Sequence, residues 1–249
     1  MSEPTYLTTY FDRIREDLDR ILEAQRDLLQ QVADRITESV KQGGVVHIVG
    51  AGHSQLMVEE VWYRAGQLAC VHPLFDQGLW PHNGPTKGSL FERREGYARD
   101  MLAREDLRSG EVMFVVSNSG RNAVPVEAAL IGKERGLFVV ALTALAYSRS
   151  VPSRHSSGKR LFEVADVTLD NFGVEGEAVV ELPGGLKAGA STTVTNAAIL
   201  NGILAQVAGN LAAGGETPPV FVSANLEADP QHNQRLLERY SGRVPLYRG

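Results

Sequence analysis

Short, almost wholly apolar runs alternate with helical segments through the middle of this 249-residue chain. The runs VVHIV at 45–49, EVMFVV at 111–116 and LFVVALTAL at 137–145 are too short for amphipathic helices and rich in β-branched residues. Strands of continuous apolar character are typical of a parallel sheet that helices cover on both faces. The alternation therefore predicts an α/β fold with three layers, αβα.

The N-terminal segment has a different pattern. Apolar side chains recur at steps of three, four and seven over residues 6–41, which predicts one long helix that Gly43 and Gly44 end. A DNA-reading module is the alternative to a packing helix, but this segment carries more acidic than basic residues. We therefore expect three units, listed here by residue number: an N-terminal helix on the core or on a dimer partner (1–42), the α/β domain (43–212) and a C-terminal extension (213–249).

Composition excludes several classes of protein. The net charge is −5 and no block of Lys or Arg stands out, so we expect no nucleic-acid and no membrane partner. Cys70 is the single cysteine, which excludes an intrachain disulfide and is compatible with a reducing compartment. We find no signal peptide and no long apolar span, so the expected location is cytoplasmic.

Other local patterns give further expectations. The segment 75–88 is rich in Gly and Pro and predicts a loop. Ser89 and Glu92 have the spacing of a capping box at the start of a helix over 90–105. Nearer the C-terminus, the sequence predicts irregular chain over 172–185, a long helix over 191–211, and a last helix with Asp229 as N-cap and Pro230 at its first position.

The first apolar strand ends in the turn Gly50-Ala51-Gly52-His53-Ser54. Gln55 stands where a dinucleotide-binding fingerprint needs a third glycine, and the Gly-Lys-Ser/Thr of a P-loop is absent. What remains is a helix N-terminus with Ser54 beside it, which favours an anion. The alternatives are that Ser54 only caps its helix and that His53 is a capping or packing residue.

A second turn, Ser117-Asn118-Ser119-Gly120, follows the strand at 111–116 and precedes a helix that begins near Asn122. Hydroxyl and backbone donors in such a turn suit a phosphate monoester, whose oxygens accept many hydrogen bonds. Because ligands of such folds bind at the carboxyl ends of the strands, the two turns are expected to share one crevice. Two capped turns without any ligand are the alternative.

Gly-x-Gly-x-Ser after one strand and Ser-x-Ser-Gly-x-x after another resemble the SIS (sugar isomerase) domain, most of all a phosphoheptose isomerase-like bacterial group. The resemblance covers roughly residues 40–210 and includes ASTTVTNAAILNGIL at 190–204. It implies a five-stranded, flavodoxin-like parallel sheet. It also implies phosphate and sugar contacts from Gly52, Ser54, Ser117, Asn118, Ser119, Gly120, Asn122, Ser191 and Thr192. Asn122 departs from the Thr that the family often has there.

By this resemblance the chain is expected to be an aldose–ketose isomerase of a sugar phosphate. Such a reaction needs a carboxylate base with a raised pKa and a group that moves protons between oxygens. Glu60 or Glu59, on the helix after the first turn, is the expected base, although this pair lies one turn closer to the serine than in phosphoheptose isomerases. Glu92 and Glu95, with Tyr97, form a second set, with Glu95 as the reserve base. For both sets the alternative is that the glutamates lie on a solvated helix face. His53 or His155 would move the oxygen protons.

Two other functions stay open: a non-catalytic sugar-phosphate sensor, and a different SIS enzyme such as a lyase similar to the N-acetylmuramic acid 6-phosphate etherases. We expect no cofactor. No metal site is expected either, since the histidines lack ligand spacing and Cys70 has no partner cysteine. The family implies a homodimer or homotetramer with the site at the subunit interface.

Overall fold

The computed structural model describes residues 5–226 and 229–248. Residues 1–4, 227–228 and 249, which belong to the predicted N-terminal and C-terminal segments, lie outside the described residues. The helices are Tyr6–Lys41 (α1), Gln55–Val61 (α2), Pro85–Glu92 (α3), Tyr97–Leu102 (α4), Ala123–Glu134 (α5), Leu145–Ser150 (α6), Thr192–Ala213 (α7) and His232–Tyr240 (α8). The strands are Val46–Gly50 (β1), Val71–Pro73 (β2), Val112–Val116 (β3), Phe138–Thr143 (β4), Val167–Asp170 (β5), Ala178–Glu181 (β6) and Lys187–Ala190 (β7).

Five strands form one parallel sheet in the order β2-β1-β3-β4-β5. All residues of β1 and β3 are buried, which explains why both read as continuous apolar runs. Residues of α1, α2, α7 and α8 share one core cluster with the sheet, and residues of α4 and α5 share the other. The predicted three-layer αβα fold with a five-stranded parallel sheet is confirmed, and its strand order is the flavodoxin-like one.

Helix α1 spans the segment that the apolar periodicity predicts. Its N-terminus is closed by a reciprocal pair, in which Thr8 N donates to Thr5 Oγ1 at 3.2 Å and Thr5 N donates to Thr8 Oγ1 at 2.8 Å. Its buried Gln25 donates to the carbonyl oxygen of Asp170 at 2.7 Å and accepts from the amide of Asp170 at 2.8 Å. α1 also packs along α7, so it is fixed to both the end of β5 and the last long helix. Among the described helices, none has the length and apolar character to cross a membrane.

The prediction of a single helix over 90–105 is wrong. α3 begins at Pro85, whose fixed φ suits a first helical position, so Ser89 lies inside the helix and the capping box with Glu92 does not form. Gly96 then adopts a φ of +83° and separates α3 from α4. Much of the segment predicted as a loop is therefore helical, and its first residues contain two short 3-10 turns.

The prediction of irregular chain over 172–185 is also partly wrong, because β6 and β7 pair there as an antiparallel hairpin. Each strand has four residues, and all four of β7 are exposed, so alternation of polar and apolar residues gives no signal. The hairpin is held by contacts with α1, including a hydrogen bond from the Tyr10 hydroxyl to the carbonyl oxygen of Ala190 at 2.9 Å.

The last helix begins two residues later than predicted. α8 starts at His232 with Gln231 at its N-cap, so Pro230 is not its first residue. The Asp229 carboxylate accepts a hydrogen bond from the amide of Gln231 at 2.9 Å, which stabilises the turn before the helix instead of the helix itself. The pairing of Asp229 with Arg235 supports the same turn.

A buried charged network ties the C-terminal segment to the sheet. The carboxylate of Glu111, 3% exposed, accepts hydrogen bonds from His47 Nε2 at 2.8 Å and Arg243 Nη2 at 2.7 Å. Burial raises the pKa of Glu111, but hydrogen bonds from His47 and from the amide of Arg108 outweigh it, so the pKa lies below its usual value. Burial lowers the pKa of His47. The positive charge beside this ionised carboxylate is therefore that of Arg243.

Candidate functional site

The two glycine turns leave neighbouring strands at the same edge of the sheet, since Gly50 of β1 lies beside Val116 of β3. Gly52 adopts a φ of +58° at the start of a short 3-10 turn that carries His53 and Ser54. His53 is exposed and Ser54 is half-buried. A side chain at Gly50 would clash with the carbonyl oxygen of Ser54, so this turn can form only around a glycine.

The second turn is more buried than the first. Gly120 adopts a φ of +57°, and a Cβ there would lie 2.9 Å from Ser148 Oγ. The amide of Gly120 donates to Ser117 Oγ at 3.2 Å, so the buried Ser117 side chain closes its own turn. Ser119 is half-buried beside it. The turn therefore presents one partly accessible hydroxyl together with backbone groups at the carboxyl end of β3.

Asn118 connects this turn to the N-terminus of α7. Its Nδ2 donates to Thr192 Oγ1 at 2.9 Å, and its Oδ1 accepts from Asn171 Nδ2 at 2.8 Å. Its carbonyl oxygen accepts from the Thr143 hydroxyl at 3.0 Å, at the end of β4. Asn171 also donates to Asn196 Oδ1 at 2.8 Å. The predicted residues Asn118 and Thr192 thus lie together, in a network that joins the ends of β3, β4 and β5.

A carboxylate that the sequence did not single out completes this network. The Thr192 hydroxyl donates to Glu177 Oε2 at 3.2 Å. Glu177 holds a φ of +66°, a conformation that costs a residue other than glycine free energy and that clusters at functional sites. Ser191, the preceding residue, is fully buried, and its Oγ has no hydrogen-bond partner among the described residues.

Polar residues hold the N-cap positions of three helices at this edge of the sheet. They are Ser54 before α2, Asn122 before α5 and Ser191 before α7, and within the described chain none makes a side-chain capping hydrogen bond. Such residues normally accept from the N–H two or three positions on. The side-chain bonds that the capped alternative requires are therefore not formed. At α2 the preceding 3-10 turn continues into the helix, and the amide of Gln55 donates to the carbonyl oxygen of Gly52.

The two glutamates of α2 lie on different sides of the helix. Glu59 is exposed to solvent. Glu60 is half-buried; it pairs with Arg64, and its Oε1 accepts from Asn201 Nδ2 at 3.1 Å. Glu60 therefore faces α7, where its carboxylate is already shared between a guanidinium and an amide.

Glu95 and His155 are brought together by the loop that follows α6. The amide and hydroxyl of Ser156 donate to Glu95 at 2.7 and 2.6 Å, and these bonds hold the pKa of Glu95 below its usual value. His155 Nδ1 lies 2.8 Å from Ser157 Oγ, and its Nε2 lies 3.8 Å from Glu127 Oε1. Both predicted residues thus have structural partners, and Glu95 favours its ionised form.

Glu92 has a different environment. It ends α3, which packs against both the first glycine turn and α5, and its carboxylate is hydrogen-bonded by the side chain of Asn122. Burial raises the pKa of Glu92, and the hydrogen bond from Asn122 and the charges of Arg93 and Arg154 offset this only in part. The net effect is a pKa of Glu92 above its usual value.

Sequence reasoning missed Asn171, Glu177 and Arg154. Asn171 directly follows β5, and the rule that located the two glycine turns, polar residues at strand ends, could have found it. Glu177 and Arg154 lie in loops whose course the local sequence does not specify. Among the described residues, no three His, Cys, Asp or Glu side chains are grouped as a metal-ion site. Cys70 is buried, which raises the pKa of its thiol to about 12.

The family model for the SIS domain matches residues 9–144, more than half of the chain. The chain belongs to the SIS domain family. Its relatives include the UPF0309 protein of Listeria innocua, 43% identical over 241 residues that cover 96% of this chain and 98% of the relative. The UPF0309 protein of Halalkalibacterium halodurans is 42% identical and covers 96% of both chains.

Solved structures show the same SIS fold. A phosphoheptose isomerase from Francisella tularensis superposes with a TM-score of 0.56 at 14% identity, covering 83% of this chain and 98% of that one. The phosphoheptose isomerase of Neisseria gonorrhoeae gives 0.55 at 16% identity, with 82% and 97% covered. At this identity the likeness shows a shared fold alone.

Proposed function

We propose that this SIS-domain protein binds a sugar phosphate in the crevice at the carboxyl edge of its sheet and interconverts its aldose and ketose forms. One observation carries the proposal: Ser54, Asn122 and Ser191 stand at three helix N-termini around the glycine turns without capping them. N–H groups at a helix N-terminus that lack a side-chain acceptor, together with the helix dipole, attract an anion. Ser117 and Ser119 add hydroxyl groups beside them.

The polyhydroxyl part of the ligand would lie towards the N-terminus of α7. There the buried Ser191 hydroxyl has no partner among the described residues, and Thr192 links Asn118 to Glu177. A site built from hydroxyl, amide and carboxylate groups can both donate to and accept from sugar hydroxyls. The arrangement supports a phosphate bound at the two glycine turns and a sugar that extends from them.

Isomerisation needs a carboxylate that removes a proton from carbon, and Glu92 fits this role best. Its pKa is raised by burial, whereas hydrogen bonds from Ser156 lower that of Glu95. Glu60 is engaged by Arg64 and Asn201, and Glu59 faces solvent. For proton transfer between the sugar oxygens we propose His53, since it is exposed on the first glycine turn itself. His155, beside Ser157, is the alternative.

A thermal-shift panel of sugar phosphates tests binding. A ligand at 100 times its dissociation constant adds about 2.7 kcal/mol to the free energy of unfolding, and we expect such stabilisation from at least one five- to seven-carbon sugar phosphate. The matching free sugars should have no effect, because they lack the anion. If no sugar phosphate shifts the unfolding temperature, the proposed ligand class is wrong.

Proton exchange then separates an isomerase from a sensor or a lyase. With the stabilising ligand in D₂O, NMR should show deuterium at C2 and the appearance of the isomeric sugar. A sensor would bind the same ligand without exchange, and a lyase would release a fragment. Either of these outcomes would keep the crevice as the ligand site and discard the isomerase.

We also propose that the protein is a homodimer formed through α1 and α7. A groove of about 420 Å³ runs between these helices, with Leu22 and Leu29 on one side and Ile199 and Ile203 on the other. Leu22 is 49% exposed, although it lies in this apolar groove. A second copy of the chain would cover the groove and pack against the middle of α7.

Leu22→Glu should shift sedimentation equilibrium from dimer to monomer, because burying a carboxylate in an apolar interface is strongly unfavourable. Leu246→Glu is the matched control, since Leu246 is similarly exposed at 52% but lies in the C-terminal segment. A wild-type protein that sediments as a monomer, or a Leu22→Glu variant that remains dimeric, would refute this interface.

A further inference from the structure

Arg121 and Arg154 lie at the N-terminus of α5, and the charge of Arg93 acts on Arg154. The Nη1 of Arg154 donates to Asn122 Oδ1 at 3.0 Å, and the amide of Arg154 donates to the carbonyl oxygen of Arg121 at 2.8 Å. Partial desolvation, followed by the charges of Arg121 and Arg93, lowers the pKa of Arg154. The second glycine turn is therefore followed by a group of like charges that repel one another.

Glu92 is the carboxylate whose charge acts on Arg154, and its own pKa is raised, which weakens its hold as a counter-ion. Arg121 also has an unpaired donor: its Nε is shielded from solvent and has no hydrogen-bond partner among the described residues. A buried donor without an acceptor costs free energy that an anionic ligand would recover.

Asn122 has a defined part in this arrangement. It is the position at which the second motif departs from the Thr that SIS proteins often carry. Its Oδ1 accepts from Arg154 and its side chain is hydrogen-bonded to Glu92, so the amide orients both groups. Because Asn122 does not cap α5, the amides of Ala123 and Val124 remain without a side-chain acceptor, and Pro125 after them has no N–H.

We propose that Arg121 and Arg154 form a guanidinium clamp that binds the phosphate group of the ligand against the N-terminus of α5, with Asn122 as the residue that positions Arg154. The inference rests on the proposed function and names the groups that recognise its anion. Guanidinium groups bind phosphate oxygens through paired, charge-assisted hydrogen bonds. The clamp supplies donors to the phosphate that a Thr hydroxyl at position 122 would otherwise supply. It also favours a doubly charged phosphate over a neutral sugar.

Titration calorimetry with inorganic phosphate, at an ionic strength held constant with sodium chloride, tests the clamp. Arg154→Gln and Arg121→Gln should each raise the dissociation constant by about 10- to 100-fold, since hydrogen bonds to charged groups are lost. Arg154→Lys keeps the charge but not the paired geometry, so its affinity should fall between those of the wild type and Arg154→Gln. Arg149→Gln is the matched control, because Arg149 lies on α6 against the Phe162 ring.

A double-mutant cycle tests the positioning role of Asn122. Asn122→Ala should weaken phosphate binding in the wild type and have little further effect in Arg154→Gln. If the folded arginine variants bind phosphate as the wild type does, the clamp is wrong. The proposal that the serines of the glycine turns bind a sugar phosphate is then unaffected. If the wild type binds neither phosphate nor any sugar phosphate, the clamp and the proposed function both fail.

Discussion

Glu92→Gln is expected to lower kcat about 1,000-fold for the sugar phosphate that the panel identifies, and to leave its dissociation constant within about threefold. Removal of a general base costs 10²- to 10⁴-fold, and Gln keeps the size of the side chain and an acceptor for Asn122. The variant therefore removes the proton acceptor with little change in the crevice. Proton exchange at C2, followed by NMR, is the direct measurement.

The pH profile adds a second readout for Glu92. A base works in its deprotonated form, so activity falls as pH falls through its pKa. Since burial raises the pKa of Glu92, the acidic limb of kcat/KM should lie above the usual glutamate range. The variant should lose this limb along with most of its activity.

Glu60→Gln and Glu95→Gln are the matched controls, because both glutamates were candidate bases from the sequence. Glu60 pairs with Arg64 and Glu95 accepts from Ser156, so we expect each variant to keep activity within about tenfold of the wild type. Loss of turnover in Glu60→Gln with normal turnover in Glu92→Gln would assign the base to α2, as the resemblance to phosphoheptose isomerases implies.

Arg243→Ala is expected to lower the free energy of unfolding by about 3 kcal/mol, the lower end of the cost of breaking a buried ion pair. The Glu111 carboxylate would remain buried and ionised without the cation that now lies 2.7 Å away. Its hydrogen bonds from His47 and from the amide of Val45 limit the loss. For a chain of this length, the melting temperature should fall by about 6 to 12 °C.

Urea unfolding followed by circular dichroism measures this effect. Arg235→Ala is the control: Arg235 pairs with Asp229 in the neighbouring turn, with both side chains more than half exposed. An exposed pair contributes at most about 1 kcal/mol. Equal and small losses in the two variants would mean that the C-terminal segment does not depend on Glu111 for its attachment to the sheet.

Local sequence patterns predicted most of the framework. The periodic apolar positions of α1, the buried runs of β1, β3 and β4, and the two glycine turns follow directly from side-chain burial and backbone freedom. The local patterns failed where tertiary contacts decide: β7 is an exposed strand paired with β6, and Gly96 divides the helix predicted over 90–105. Short elements of this kind bury too little apolar surface to produce a recognisable pattern of apolar residues in the sequence.

For the candidate site, the sequence determined which turns face the crevice, because a Gly-rich turn after a buried parallel strand has only one edge to occupy. The hydrogen-bond partners of the site residues were decided by the tertiary structure alone. Asn118 meets Thr192 across 74 positions, and Arg154 meets Asn122 across 32. Such contacts depend on how helices and loops pack over the sheet, and the local spacing of residues carries no record of them. That is why the serines were visible in the sequence, while the proposals for Glu92 and for the arginines depend on contacts that only the fold shows.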